Sequence, residues 1–195
     1  MTKKVIVMNF ELESQAYQAF SEIKNLAFSK ALKGEQMAVV THSDDGEHNF
    51  KIDDFLDFTG SNKTSKGGLI GMLVGIVGGP LGVMLGWFGG SFIGASKDAK
   101  EIRDARDVFE FLIQQIGEGK TGLILIAEEE DNRPINNLIT HVLGGGVERF
   151  DLEDVEHSVN KAKDVEKDVQ EHAKKGWKKN LRSASQENDS SETDL

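Results

Sequence analysis

Residues 121–130 read TGLILIAEEE, a near-continuous apolar run that ends in three acids. A strand with one face in water alternates apolar and polar residues. A continuous run is what a strand needs when it is covered on both faces, or on one deeply buried face. The stretch is therefore expected to be a central strand, and the rest of the fold must supply its neighbours and its cover.

Downstream, PINNLITHVL (134–143) reads as a short helix opened by Pro134 and stopped by the glycines at 144–146. VERF (147–150) comes next as a last strand. Upstream, a charged helix is expected from Lys97 to Gln115, with Ile102, Ala105, Val108, Phe109, Leu112 and Ile116 on one face. KVIVMNF (4–10) is a β-branched strand candidate. Apolar residues then recur at helical spacing from Glu13 to Lys33 (Ala16, Phe20, Ile23, Ala27, Ala31), with Gly34 as the expected C-cap. MAVVTHS (37–43) and HNFKIDDFLDF (48–58) flank Asp45-Gly46, a type I′ hairpin signal. The order is β-α-β-β-α-β-α-β. Its first six elements suit a ferredoxin-like βαββαβ sheet, extended by one helix and one strand, in the α+β class.

Between the two halves lies GGLIGMLVGIVGGPLGVMLGWFGGSFIGA (67–95), without one charged side chain. Glycine recurs every fourth residue at Gly67, Gly71, Gly75 and Gly79, and again at Gly78, Gly82, Gly86, Gly90 and Gly94. Eleven of the 29 residues are Gly, which disfavours isolated helices in water by about 1 kcal/mol per glycine relative to Ala. In lipid the backbone must satisfy itself and helix returns. There, or in a packed interior, fourth-residue glycines form a groove into which a second helix fits closely. Gly79-Pro80 marks a break, so the expectation is a glycine-zipper helical hairpin over 59–96. A hairpin also returns the chain to the same side, which lets strands before and after it share one sheet. Lysines flank both ends (Lys63, Lys66, Lys97, Lys100), as suits two cytoplasmic ends. The arms are short for a span, so the hairpin is compatible with a thinned bilayer, with one leaflet, or with a soluble oligomer core.

The expected organisation is 1–58 and 97–151 as the two parts of one α/β domain, the hairpin at 59–96, a charged helix at 152–182 and a disordered tail at 183–195. The helix carries a thin seam at Leu152, Val155, Val159, Ala162, Val165, Val169, Ala173 and Trp177, suited to lying on the domain or pairing with another helix. Trp87 and Trp177, the latter within basic KKGWKK, are candidate membrane-interface residues.

The formal net charge of −10 argues against nucleic acid as a partner, and the absence of Cys excludes thiolate chemistry and disulfides. The N-terminus lacks a signal-peptide pattern, which points to a cytoplasmic chain. GEGKTG (117–122) has the letters G-x-G-x-x-G but comes after a helix and opens a strand, the reverse of a dinucleotide site. A P-loop would need glycine where Gln114 stands. A helix C-cap and tight turn are expected there instead. HSDDGEH (42–48) places His42 and His48 on opposite faces of a two-residue hairpin and reads as a solvated tip. His141, His157 and His172 share no partner pattern, and no serine sits in G-x-S-x-G. Glu128-Glu129-Glu130 reads as a solvated loop entry. No catalytic, cofactor-binding or metal residue is expected, and no small-molecule ligand is named.

The N-terminal strand-helix unit VIVMNFELESQAYQAFSEIKNL, the DGEHNFK hairpin, TGSNKTSKGGLIGMLVGIVGGPLGVMLGWFGGSFIGASKD and TGLILIAEEEDNRPINNLITHVLGGGVERFDL together resemble a bacterial family of predicted membrane proteins of unknown function, over about residues 3–155. A looser similarity links the chain to bacterial general-stress proteins that join a small α/β unit to a glycine zipper. The resemblance implies no catalytic residue. It implies membrane association and a stress-related setting. The expectation is thus a non-enzymatic, homo-oligomeric protein at the cytoplasmic face of the plasma membrane, with lipid as a partner. The alternative is a soluble cytoplasmic binding or regulatory module whose hairpins pack without lipid.

Overall fold

In the computed structural model, which describes residues 2–46, 49–60, 68–77, 112–164, 167 and 171, the apolar run forms strand β4 (Thr121–Glu129) at the centre of a five-stranded antiparallel sheet. Before it come β1 (Lys3–Asn9), α1 (Glu13–Leu26), β2 (Leu32–His42), β3 (Phe50–Asp57) and α2 (Leu69–Val77). After it, α3 starts as an α-helical turn, Arg133–Asn136, and runs on as a π-helical turn, Asn137–Val142. Strand β5 (Gly146–Asp151) and a helix over 152–164, α4, complete the described chain. The fold is α+β, as the pattern predicts.

The strand order is β3-β2-β4-β1-β5. Strand β4 pairs with β1 on one side (Val5 opposite Ile126) and with β2 on the other (Met37 opposite Leu125). All pairings are antiparallel, so β1 and β2 run parallel with β4 between them, and β4 and β5 run parallel with β1 between them. Strands from both sides of the glycine segment therefore share one sheet.

Strand β3 lies at the outer edge. The place between β1 and β2, which a ferredoxin-like reading of the first six elements gives to the hairpin's second strand, belongs to β4. Charge explains the exchange. Strand β3 carries Lys51, Asp53, Asp54 and Asp57, which a central position would force out of water. Residues Thr121 to Ala127 are buried without interruption.

Each face of the sheet has its own core. On one, Ile6, Met8, Met37, Val39, Leu123 and Leu125 meet Ala16, Ala19 and Ile23 of α1 and Ile135 and Ile139 of α3. On the other, Val5, Val7, Ala38, Val40, Ile124 and Ile126 meet α2, α4 and the helical turn at 112–115. Alternate residues of β4 thus enter opposite cores, the double cover its composition requires.

Two local expectations change. Helix α1 ends at Leu26, and β2 starts at Leu32 rather than Met37. Ala27 and Ala31 continue the helical spacing, but a turn intervenes, with Ser29 N–H donating to Leu26 O at 2.9 Å and Leu32 N–H to Ser29 Oγ at 3.3 Å. Gly34 is not a cap. It sits inside β2 at a register shift, where a Cβ would lie 2.9 Å from Ala27 Cβ and from the Phe58 ring. In the hairpin, His42 faces Phe50 and Ser43 N–H donates to Asn49 O at 2.8 Å. The loop is therefore longer than two residues; Gly46 keeps the positive φ (75°) expected of it.

Candidate functional site

Helix α2 is the first arm of the glycine segment, and it lies over β3 and β2. Leu69, Ile70, Leu73, Val74 and Ile76 are buried on the sheet, none more than 9% exposed. In sequence these residues suit lipid or a partner subunit; here they face the chain's own sheet. At 100° per residue Gly71 and Gly75 fall on the opposite side. Gly71 is half-buried and Gly75 exposed. Apart from its own helical backbone and chain neighbours, no atom of the described residues lies within 4 Å of the place a Gly75 Cβ would occupy.

The other expected positions, Gly67, Gly78, Gly79, Pro80, Gly82, Gly86, Trp87, Gly90, Gly94 and Trp177, lie outside the described residues, as do the 183–195 tail and most of the charged stretch from Lys97. Among the described residues, no helix is long and apolar enough to cross a membrane.

Helix α4 bears out the front of its seam. Val159 and Ala162 are buried in the same core as α2, with Leu152 and Val155 packed against it. It also touches α2, through Lys163 Nζ at 3.9 Å from Met72 Sδ.

Two polar residues close the row of β2 that faces α2, Gln36 and His42, on either side of Ala38 and Val40. Gln36 lies under the start of α2, where a Cβ on Gly68 would come within 2.5 Å of its Nε2 and 2.6 Å of its Oε1. Its Oε1 is buried without a hydrogen-bond partner among the described residues. Such a group costs about 1–3 kcal/mol. Gln36→Leu, which removes the polar atoms at similar length, is accordingly expected to raise unfolding stability by about 1 kcal/mol or more. A lower denaturation midpoint in the variant would contradict this.

His42 is not at a solvated tip. It is fully buried, stacked on Phe50 at 4.2 Å between ring centroids, and bonded through Nδ1 to Ile116 O at 2.6 Å. A carbonyl only accepts, so Nδ1 carries the proton. His48 lies outside the described residues. An i, i+2, i+4, i+6 row of Gln36, Ala38, Val40 and His42 was the signal available in the sequence for both polar positions.

GEGKTG is the turn expected of it. The helical residues 112–115 end before it, Gly119 has φ +68° and β4 begins at Thr121. The acidic triplet is a correction. The Glu129 side chain is only 5% exposed, and its carboxylate accepts from Arg149 Nε at 2.5 Å and Nη2 at 2.8 Å. Glu128 pairs with Lys33 at 3.6 Å.

An open groove of about 510 Å³ runs past Thr2, Lys3, Glu128, Asp151 and the start of α4. Its cation is engaged: Lys3 meets Glu35 at 2.5 Å, and that carboxylate raises the lysine's pKa. Among the described residues, no group of three or more acidic or imidazole side chains is placed to hold a metal ion. Comparison with family models, curated proteins and solved structures gives no match to this chain.

Proposed function

We propose that the chain is a non-enzymatic α/β module that self-associates through the glycine face of its 67–95 segment. The observation that carries this reading is the division of α2 into two faces. One is spent on the sheet, while Gly71 and Gly75 fall on the opposite side, where exposed Gly75 leaves room, among the described residues, for another backbone. The same spacing continues in sequence from Gly78 to Gly94. The polar side chains that sequence reasoning weighs for chemistry are engaged in structural pairs, His42 with Ile116 and Glu129 with Arg149.

We read the topology as ferredoxin-like, built from β1-α1-β2 and β4-α3-β5, with β3 an added edge strand and the glycine segment an insert. A sheet shared across the insert supports a hairpin over a single crossing. A membrane-face, stress-related setting rests on the family resemblance. The apolar packing of α2 on its own sheet favours the soluble oligomeric form for the free chain.

Gly75→Leu fills the glycine face without touching the sheet. It is expected to weaken association at least about tenfold, or about 1.4 kcal/mol, with the far-UV spectrum unchanged. Light scattering and cross-linking read this out. A monomeric wild type, or the same oligomer in the variant, overturns the proposal.

A further inference from the structure

We propose that α2 is a releasable membrane-binding helix, whose sheet-facing apolar side exchanges the sheet for the apolar interior of a bilayer. This uses the face opposite Gly71 and Gly75, so it stands independently of self-association through the glycines.

Four observations carry it. First, α2 bears only apolar residues and glycine, so none of its side chains resists transfer into hydrocarbon. Protein interior and lipid are both apolar, and the helix keeps most of its transfer free energy in either. Second, the interface it leaves is imperfect. Among the described residues, Gln36 Oε1 is buried beneath it without a partner, and it gains water on release. Third, α2 covers the β3-β2 side of the sheet. The β4-β1-β5 pairings and the opposite core with α1 and α3 do not depend on it. Among the described residues, its contact with α4 includes a long Lys163–Met72 interaction at 3.9 Å. Fourth, Lys63 and Lys66 precede the helix in sequence, as anionic head groups favour.

The chain contains no Cys, which permits a clean lock. A Cβ on Gly68 would lie 2.9 Å from Gln36 Cδ, so Gln36→Cys with Gly68→Cys brings two thiols within disulfide reach. Flotation of the full chain with vesicles of phosphatidylcholine and phosphatidylglycerol is then compared for wild type and for the oxidised and reduced double variant. The oxidised form is expected to bind at least about tenfold more weakly than the reduced form, because its competent fraction is removed. Equal flotation of the two forms, or no flotation of wild type, overturns the proposal.

A second variant does not need the lock. Val40→Cys places a thiol on the fully buried row of β2 in the core that α2 covers. It should resist a maleimide in the free protein and react when vesicles are added; continued protection on vesicles overturns the proposal. Sizing in parallel separates the two readings. The locked protein keeps its glycine face outward and should keep its oligomer, whereas failure of the self-association reading shows as a monomer in every form.

Discussion

Arg149→Ala is expected to destabilise the domain by about 1.5–3 kcal/mol, the usual worth of hydrogen bonds to a charged group, here in a partly buried pair. The guanidinium on β5 reaches past β1 to grip Glu129 at the end of β4 with two parallel bonds, at 2.5 and 2.8 Å. The Glu129 side chain is 5% exposed, so without the arginine a carboxylate stays in the sheet with little water to solvate it. The double variant Arg149→Met, Glu129→Leu removes both charges and should recover most of the loss. Urea denaturation of the three proteins checks this. A single-variant loss below about 1 kcal/mol would class the pair with exposed salt bridges and defeat the argument.

Gly122→Val is expected to cost about 3 kcal/mol by overpacking. Gly122 sits at the start of β4 between Asn9 of β1 and Val40 of β2. A Cβ there would lie 2.6 Å from Ile116 Cδ1 and 2.8 Å from the Met8 carbonyl oxygen. The isoleucine can swing aside; a backbone oxygen held in the sheet cannot. Thermal unfolding should show the loss, and a variant as stable as wild type would mean that β1 and β4 separate there at no cost. The last glycine of a phosphate-loop-like string thus has a packing role, close approach of chain to chain.

Much of the sheet was legible because its signals are local. The uninterrupted run of β4, Pro134 and Gly144 bracketing α3, and the three- and four-residue spacing from Leu152 to Ala162 each depend on neighbours in sequence. The rest was not legible because it depends on distant partners. Ala27 and Ala31 fit a helix by spacing, and only the pairing of Leu32 with Glu129 turns the chain to strand from Leu32 onward. No local rule says whether β3 or β4 sits beside β1, though the carboxylates of β3 favoured an edge. The candidate site was legible as a glycine pattern at Gly71 and Gly75. Its docking was not, because lipid, a partner helix and an apolar sheet make the same demand on Leu69, Ile70 and Leu73. His42 and Glu129 were misread for a common reason: each adjoins a run of charge, and adjacency in sequence says nothing of the buried group across the fold that meets it.

The position of β4 also bears on how the chain is made. Strands β1 and β2 are not bonded to each other, since β4 lies between them, and β4 leaves the ribosome after the glycine segment. At about 5–20 residues per second, the interval between Val77 and Glu129 lasts on the order of seconds. Throughout it, α2 is already synthesised together with the β2-β3 hairpin it covers, while β4, whose Ile124 and Ile126 belong to the same core, does not yet exist. The nascent protein therefore presents its most apolar segment to the cell before the sheet beneath it is complete. A bilayer or a chaperone near the ribosome meets that segment first, and the finished sheet competes for it afterwards.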